Sequence, residues 1–213
     1  DDCTYYKNKK PWQNLQFPKT FGRSFLPEED FIRSLDEKTG ASLKLTILNP
    51  NGRVWNILSG GGASLIYLDE ISKLVDVNEI ANYGEYSGNP SVEESYQYAK
   101  TIIDLMTREE NNKDKNKKQK TKILFIAGAI ANFTDVEKTF SGIIKALEEF
   151  KKELQLNNVQ IFVRRGGPNW KNGIRLIKEK GEQLNIKITT YGPNKPMVEI
   201  IPEAIRELKR YKQ

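Results

Sequence analysis

Four short stretches of the chain carry side chains suited to gripping a ligand. Arg164-Arg165-Gly166-Gly167-Pro168-Asn169 sets two guanidinium groups directly after an apolar run. A guanidinium there suits a carboxylate, which it grips through two parallel N–H bonds. Neighbouring residues of a strand point to opposite faces, so only one of the two arginines should reach a given site. Gly128-Ala129-Ile130-Ala131-Asn132-Phe133-Thr134 leads from another apolar run into a helix start. The Asn132 amide and Thr134 hydroxyl can donate there, beside the free N–H groups of a first helical turn. Thr134 is expected to cap that helix through its oxygen while keeping its hydrogen available. Ser59-Gly60-Gly61-Gly62-Ala63-Ser64 and Gly84-Glu85-Tyr86-Ser87-Gly88 each bring glycine backbone close to a possible anion. Neither is a P-loop or a GxGxxG fingerprint, and each also reads as a plain turn or crossover loop.

What accompanies these loops narrows the chemistry. The chain has no histidine, so it supplies no imidazole base, metal ligand or phosphohistidine. Paired catalytic acids, a metal cluster and a nucleophile with its base are also missing from the pattern, which leaves a binding site for a small polyanion. The single cysteine, Cys3, excludes an internal disulfide framework and suits a reducing compartment. The net charge of +6 admits nucleic acid or anionic metabolites as partners. Six lysines, however, crowd into one hydrophilic stretch from Glu109 to Lys122, without aromatic residues for base stacking. That stretch reads as a solvated loop, and nucleic acid is not expected. Apolar residues make up 38% of the chain, enough for a core. No run approaches the ~20 apolar residues of a membrane span, and no signal peptide is seen. The opening Asp1-Asp2-Cys3, without Met, reads as an internal fragment or processed product.

Regular elements must position these loops. Residues 1–20 are polar and punctuated by proline, as a linker arm would be, with the folded domain expected over 21–213. Pro27-Glu28-Glu29-Asp30 begins a short helix that Gly40 ends. Leu43 to Leu48 and Val54 to Leu58, joined through Pro50-Asn51-Gly52, predict a β-hairpin. Strands and helices then alternate: a helix over Leu65 to Leu74, a strand near Ile80 to Tyr83, and a helix opened by the capping box Ser91/Glu94. The continuous apolar run Ile123 to Ala127 predicts a strand buried on both faces. A second capping box, Thr134/Glu137, opens a helix in which Val136, Phe140, Ile143, Ile144 and Leu147 keep a 3.6-residue period. Strand Val159 to Val163, a helix from about Asn172 to Leu184, strand Ile186 to Thr190 and helix Val198 to Tyr211 complete the chain. This grammar implies an α/β fold: an open parallel, doubly wound, flavodoxin- or Rossmann-like sheet with helices on both faces, preceded by the arm, helix and hairpin. Ligands of such sheets sit beyond the carboxyl ends of the strands, where the four loops fall.

Six motifs occur in order: Gly40 to Thr46 (GASLKLT), Leu48 to Arg53 (LNPNGR), Gly60 to Ser64 (GGGAS), Ala81 to Gly88 (ANYGEYSG), Ile130 to Thr134 (IANFT) and Phe162 to Asn169 (FVRRGGPN). Together they resemble the ATP-citrate lyase family, over roughly Phe21 to Leu184. The region is similar to the carboxy-terminal domain of the succinyl-CoA synthetase β subunit, adapted to citrate. The resemblance implies that citrate is held by Gly88, Asn132, Thr134 and Arg165. It also implies that the helix from Thr134 is the so-called power helix, whose positive end faces a phosphorylated histidine. Phe150 falls where the animal enzyme has a tyrosine that contributes to citrate binding. The complete reaction implied turns citrate, ATP and CoA into acetyl-CoA, oxaloacetate, ADP and phosphate in the cytoplasm. Its ATP-grasp, phosphohistidine and citrate-synthase-like modules would lie outside this chain, in a homo- or hetero-oligomer. No cofactor is expected on this chain itself, while ATP, Mg²⁺ and CoA belong to the whole enzyme. The competing readings are a succinyl-CoA-synthetase-type ligase for a smaller diacid, a non-catalytic scaffold keeping the fold, and, more remotely, a dinucleotide-binding domain.

Overall fold

A computed structural model describes residues 24–108 and 121–210. The expected arm and most of the Lys-rich stretch lie outside the described residues. In chain order the elements are α1 (Pro27–Asp36), β1 (Ser42–Ile47), β2 (Val54–Ser59), α2 (Gly61–Leu74), β3 (Asn82–Ser87), α3 (Val92–Thr107) and β4 (Lys122–Ile130). They continue with α4 (Val136–Glu149), α5 (Lys151–Leu156), β5 (Val159–Gly166), α6 (Trp170–Leu184), β6 (Ile188–Tyr191) and α7 (Ile200–Arg210). Among the described residues no helix is long and apolar enough to cross a membrane.

The sheet runs β1-β3-β2-β4-β5-β6. All neighbours are parallel except β1 and β3. From β3 onward this is the flavodoxin-like doubly wound order, with an antiparallel strand added at one edge. The apolar alternation of the central strands feeds two cores. Trp55, Ile57, Leu124, Ile126, Ile161 and Val163 pack with α3, α4 and α6 on one face. Val54, Leu58, Ile123, Phe125 and Phe162 pack with α2 and α7 on the other. Every residue of β2 is buried, as expected for a strand covered on both faces and paired on both edges.

The expected hairpin does not form. β1 pairs with β3, in register from Ser42↔Ser87 to Ile47↔Asn82, and β3 stands between β1 and β2. The Pro50-Asn51-Gly52 turn is flanked by bonds to Ala81, just ahead of β3: Leu48 and Asn49 donate to its carbonyl before the turn, and its N–H donates to the Val54 carbonyl after it. Asn56 and Asn82 then join β2 to β3 through their amides: Asn82 Oδ1 accepts from Asn56 N–H at 2.8 Å, and each Nδ2 donates to the other's carbonyl at 2.9 Å. A short apolar pair of segments around a turn looks the same whether or not a third strand inserts between them. The exposed side of β1 is closed by α1, where Asp36 accepts from Leu43 N–H and Glu29 from Ile47 N–H, both at 2.7 Å. These carboxylates satisfy edge groups that would otherwise recruit another strand.

Other boundaries also move. Gly84 to Ser87 belongs to β3 and Arg164-Arg165 to β5, so both expected loops begin later than the pattern suggested. α2 starts at Gly61, inside the glycine run. α1 ends at Asp36 with Glu37 as its C-cap, before Gly40. Lys122 is the first residue of β4, not part of a solvated loop, and its ammonium donates to the Met106 carbonyl and to Asn157 Oδ1. The Ser91/Glu94 capping box forms as expected. The second box does not, because the N-cap of α4 is Asp135, whose carboxylate accepts from Lys138 N–H at 3.0 Å.

Candidate functional site

β2 leads through α2 to β3 on one side, while β4 lies on its other side. The strand order therefore reverses between β2 and β4, and the crevice outside their carboxyl ends is where such sheets bind ligands. Ser59 of β2 and Gly128 of β4 face each other at that point. Arg165 reaches across from β5, donating through Nη1 to the Ala129 carbonyl and through Nη2 to Ser59 Oγ at 2.6 Å. Its guanidinium lies over the Tyr86 ring, 6.0 Å from the centroid. The side chain is 2% exposed, and its Nε–H has no acceptor among the described residues.

The two arginines diverge to opposite faces, as strand geometry requires. Arg164 turns toward the α2/α7 side and donates to the carbonyls of Gly128, Pro193 and Lys195. Burial pulls its pKa down from the ordinary guanidinium value, and the nearby Arg165 charge adds to that. Neither arginine is ion-paired among the described residues.

The loops after β3, β4 and β5 are knitted together. Gly88 takes a φ of 76°, a left-handed conformation that favours glycine, and its carbonyl accepts from the Thr134 hydroxyl. Thr134 is buried, Asn132 is exposed, and the expectation that Thr134 keeps a free hydrogen is corrected by this bond. The first-turn amides of α4 are also partly occupied. Asp135 N–H donates to Asn89 Oδ1 at 3.2 Å, and Val136 N–H to the Pro168 carbonyl at 3.0 Å. Asn169 Nδ2 holds the other oxygen of Asp135 at 2.8 Å. Gly88, Thr134 and the exit of β5 thus form one connected rim, Asn132 is exposed two residues before Thr134, and Arg165 is tied to Ala129 on the same β4 exit.

Of two other expected participants, one borders the crevice and one stands far from it. The Gly60-Gly61-Gly62 loop already faces an internal anion: Glu85 places Oε1 3.0 Å from where a Cβ on Gly61 would lie, and its Oε2 accepts from Tyr83. A carboxylate beside the start of α2 supplies the negative charge that its all-neutral first turn lacks. Phe150 is the C-cap of α4, beyond a helix of 14 residues, so about 21 Å of helix separates it from the Thr134 end. There it lines a 450 Å³ groove with Pro27, Phe31, Lys100 and Arg108, and it is not brought together with Gly88, Asn132, Thr134 and Arg165. A further crevice, of 530 Å³, opens at the amino ends of β5 and β6, at the wrong edge of the sheet for a ligand of this fold.

Ser59 and Tyr86, both of which contact Arg165, lie in two of the stretches read from the sequence, but neither side chain was singled out there. Ser59 is the polar residue that ends β2, a signal obscured once β2 is assigned to a hairpin. Among the described residues no group of acids could hold a metal ion.

This geometry matches known proteins. The family model for the citrate-binding region of ATP citrate lyase fits residues 23–207. The chain belongs to that family. ATP-citrate synthase of Mus musculus is 50% identical over 205 residues, which cover 96% of this chain and 18% of that protein. The ATP-citrate synthase alpha chain protein 1 of Arabidopsis thaliana is 47% identical over 97% of this chain and 47% of its own length. A solved ATP citrate lyase from Methanothrix soehngenii, in complex with citrate and coenzyme A, superposes with a TM-score of 0.87 at 52% identity. That superposition covers 97% of this chain and 52% of the other. The chain thus spans about half or less of the length of these relatives.

Proposed function

We propose that this chain binds citrate at the crevice between β2 and β4, as the citrate-holding part of a larger acyl-CoA-forming enzyme. The observation that carries this reading is Arg165, a buried guanidinium at the switch point with an unused Nε–H and no carboxylate partner among the described residues. A buried charged donor without an acceptor is costly, and a ligand carboxylate relieves that cost. Citrate offers three carboxylates and a hydroxyl. Arg165 takes one carboxylate, and Asn132 takes a second group from the open rim. The Thr134 hydroxyl exchanges the Gly88 carbonyl for a citrate oxygen, which frees Gly88 to adjust around the ligand.

In the complete enzyme the chain presents citrate for phosphorylation by a histidine carried on another module, since it has none of its own. Such an enzyme uses ATP, Mg²⁺ and CoA bound by its other modules and yields acetyl-CoA and oxaloacetate, in the cytoplasm. The start of α4 faces the same rim, so its dipole favours the anionic phosphoryl group as well as citrate.

Calorimetric titration of citrate into the chain, with succinate as competitor, tests the reading. Saturable citrate binding that a large excess of succinate leaves in place supports it. Equal binding of succinate points to a ligase for smaller diacids, and no binding of either to the folded chain removes it.

A further inference from the structure

The pairing of β4 with β5 slips at one place. Ala127 pairs with Arg164 and Ile130 with Gly166, so three steps along β4 match two along β5. β4 therefore carries one extra residue at Gly128-Ala129. Such a bulge bends a strand and re-aims whatever follows it, and here Asn132 and Thr134 follow. There is little room for adjustment, because a Cβ on Gly128 would lie 2.5 Å from the Ser59 carbonyl oxygen.

The two carbonyls of the bulge are held from opposite faces by consecutive arginines. Arg165 takes Ala129, and Arg164 takes Gly128 at 2.8 Å. Arg164 also binds the Pro193 and Lys195 carbonyls, both at 2.9 Å, and Pro193 packs against Gly166 at the exit of β5. Each nitrogen of this guanidinium thus meets a main-chain oxygen, with the side chain only 4% exposed. Burying a cation this way costs desolvation and gives no ion pair among the described residues in return. The retained benefit is geometric: one planar fork fixes three carbonyls, one in the β4 bulge and two in the 192–196 loop.

We propose that Arg164 is a positioning residue, which braces the β4 bulge against the 192–196 loop and so sets where Asn132 and Thr134 stand for the bound anion. This rests on the citrate reading above. The test compares Arg164→Met and Arg164→Lys with the parent in the full 213-residue chain, by citrate calorimetry and by amide hydrogen exchange. Both variants should weaken citrate by about tenfold or more, lysine failing to rescue because one ammonium cannot span three fixed carbonyls. Exchange should quicken at residues 129–134 while 123–127 stays protected. A folded variant, Met or Lys, that binds citrate within about twofold of the parent overturns the proposal. So does exchange that quickens evenly along β4, the mark of general destabilisation. Should the parent itself bind no citrate, the citrate reading fails, and exchange alone decides the bracing role: selective quickening at 129–134 upholds it, and unchanged exchange there overturns it. Arg164→Lys carries both measurements if Arg164→Met does not fold.

Discussion

The carboxyl and amino edges of the sheet treat buried cations in opposite ways. At the carboxyl edge Arg164 and Arg165 meet four backbone carbonyls and one hydroxyl, and neither is neutralised by a carboxylate among the described residues. At the amino edge Arg53 is paired with Glu79 through two bonds of 2.8 and 2.6 Å. Lys122, also at that edge, sits between a helix-end carbonyl and an amide, and burial pulls its pKa down to about 8. One edge keeps its positive charge unspoken for. The other cancels it or lets the proton leave. At the amino edge the guanidinium of Arg53, which cannot readily lose its proton, is neutralised by Glu79, while the ammonium of Lys122 can give its proton up. Uncompensated positive charge at the carboxyl edge is what supports the proposal that an anion binds there.

The largest effect expected is on the edge that keeps its charge. Arg165→Ala should reduce citrate binding by about 2–5 kcal/mol, because a desolvated charged partner is lost. Calorimetry on the variant, with circular dichroism to confirm folding, gives the answer. Undiminished affinity would mean that the anion is held by the rim alone.

A smaller effect should appear at the other edge, as pH dependence. The folded chain lowers the Lys122 pKa from its ordinary 10.5 to about 8. Between those values the unfolded chain binds more protons, so stability rises with pH across the window. Below about pH 8 both states are protonated and the full burial penalty is present, at most about 3 kcal/mol for a shift of this size. Denaturant unfolding at pH 7.5 and 9.5 should therefore show the parent gaining stability with pH and Lys122→Met gaining less. Tyr191, which its surroundings push up to about 12, begins to cost stability as pH nears its unfolded value of 10, but it does so equally in both proteins and cancels in the comparison. Parallel curves would show that the Lys122 proton is not tuned by the fold.

How far these two edges could be read in advance depends on what each signal measures. Apolar runs at β4 and β5 and the alternating elements implied the doubly wound sheet, because burial of both strand faces is written locally in residue type. The divergence of Arg164 and Arg165 followed from strand geometry alone. The position of β3 between β1 and β2 did not, since it depends on the Asn56–Asn82 amide pairing across 26 residues, which no local pattern reports. Thr134 and Asp135 are both good caps, and side-chain preference cannot choose between them. The choice was made by the Gly88 carbonyl, 46 residues away, which claims the Thr134 hydroxyl. The occupant of the glycine loop, Glu85, was legible only as a residue type, and its partner only in three dimensions.

Asp135 offers the next smaller test at the carboxyl edge. Its carboxylate caps α4 and accepts from Asn169, so Asp135→Ala should cost about 1 kcal/mol of stability. Asp135→Asn keeps a capping oxygen and should recover most of that loss in thermal or denaturant unfolding. If alanine and asparagine destabilise alike, the cap is not what holds the start of α4.

The smallest effect expected is at Phe150. Family resemblance suggests that a tyrosine here contributes to citrate binding, whereas the fold sets Phe150 at the C-cap of α4, beside Phe31 and Arg108. No side chain spans the length of that helix. Phe150→Tyr should therefore leave citrate affinity unchanged and alter stability by no more than about 0.5 kcal/mol, since the half-buried ring edge can hydrate an added hydroxyl. Citrate titration of this one variant separates two pictures of the edges. Unchanged affinity keeps all recognition at the carboxyl edge. A gain in affinity would require residues from outside this chain to bring the far end of α4 to a citrate site, and the line between the binding edge and the structural one would have to be drawn across the assembled enzyme.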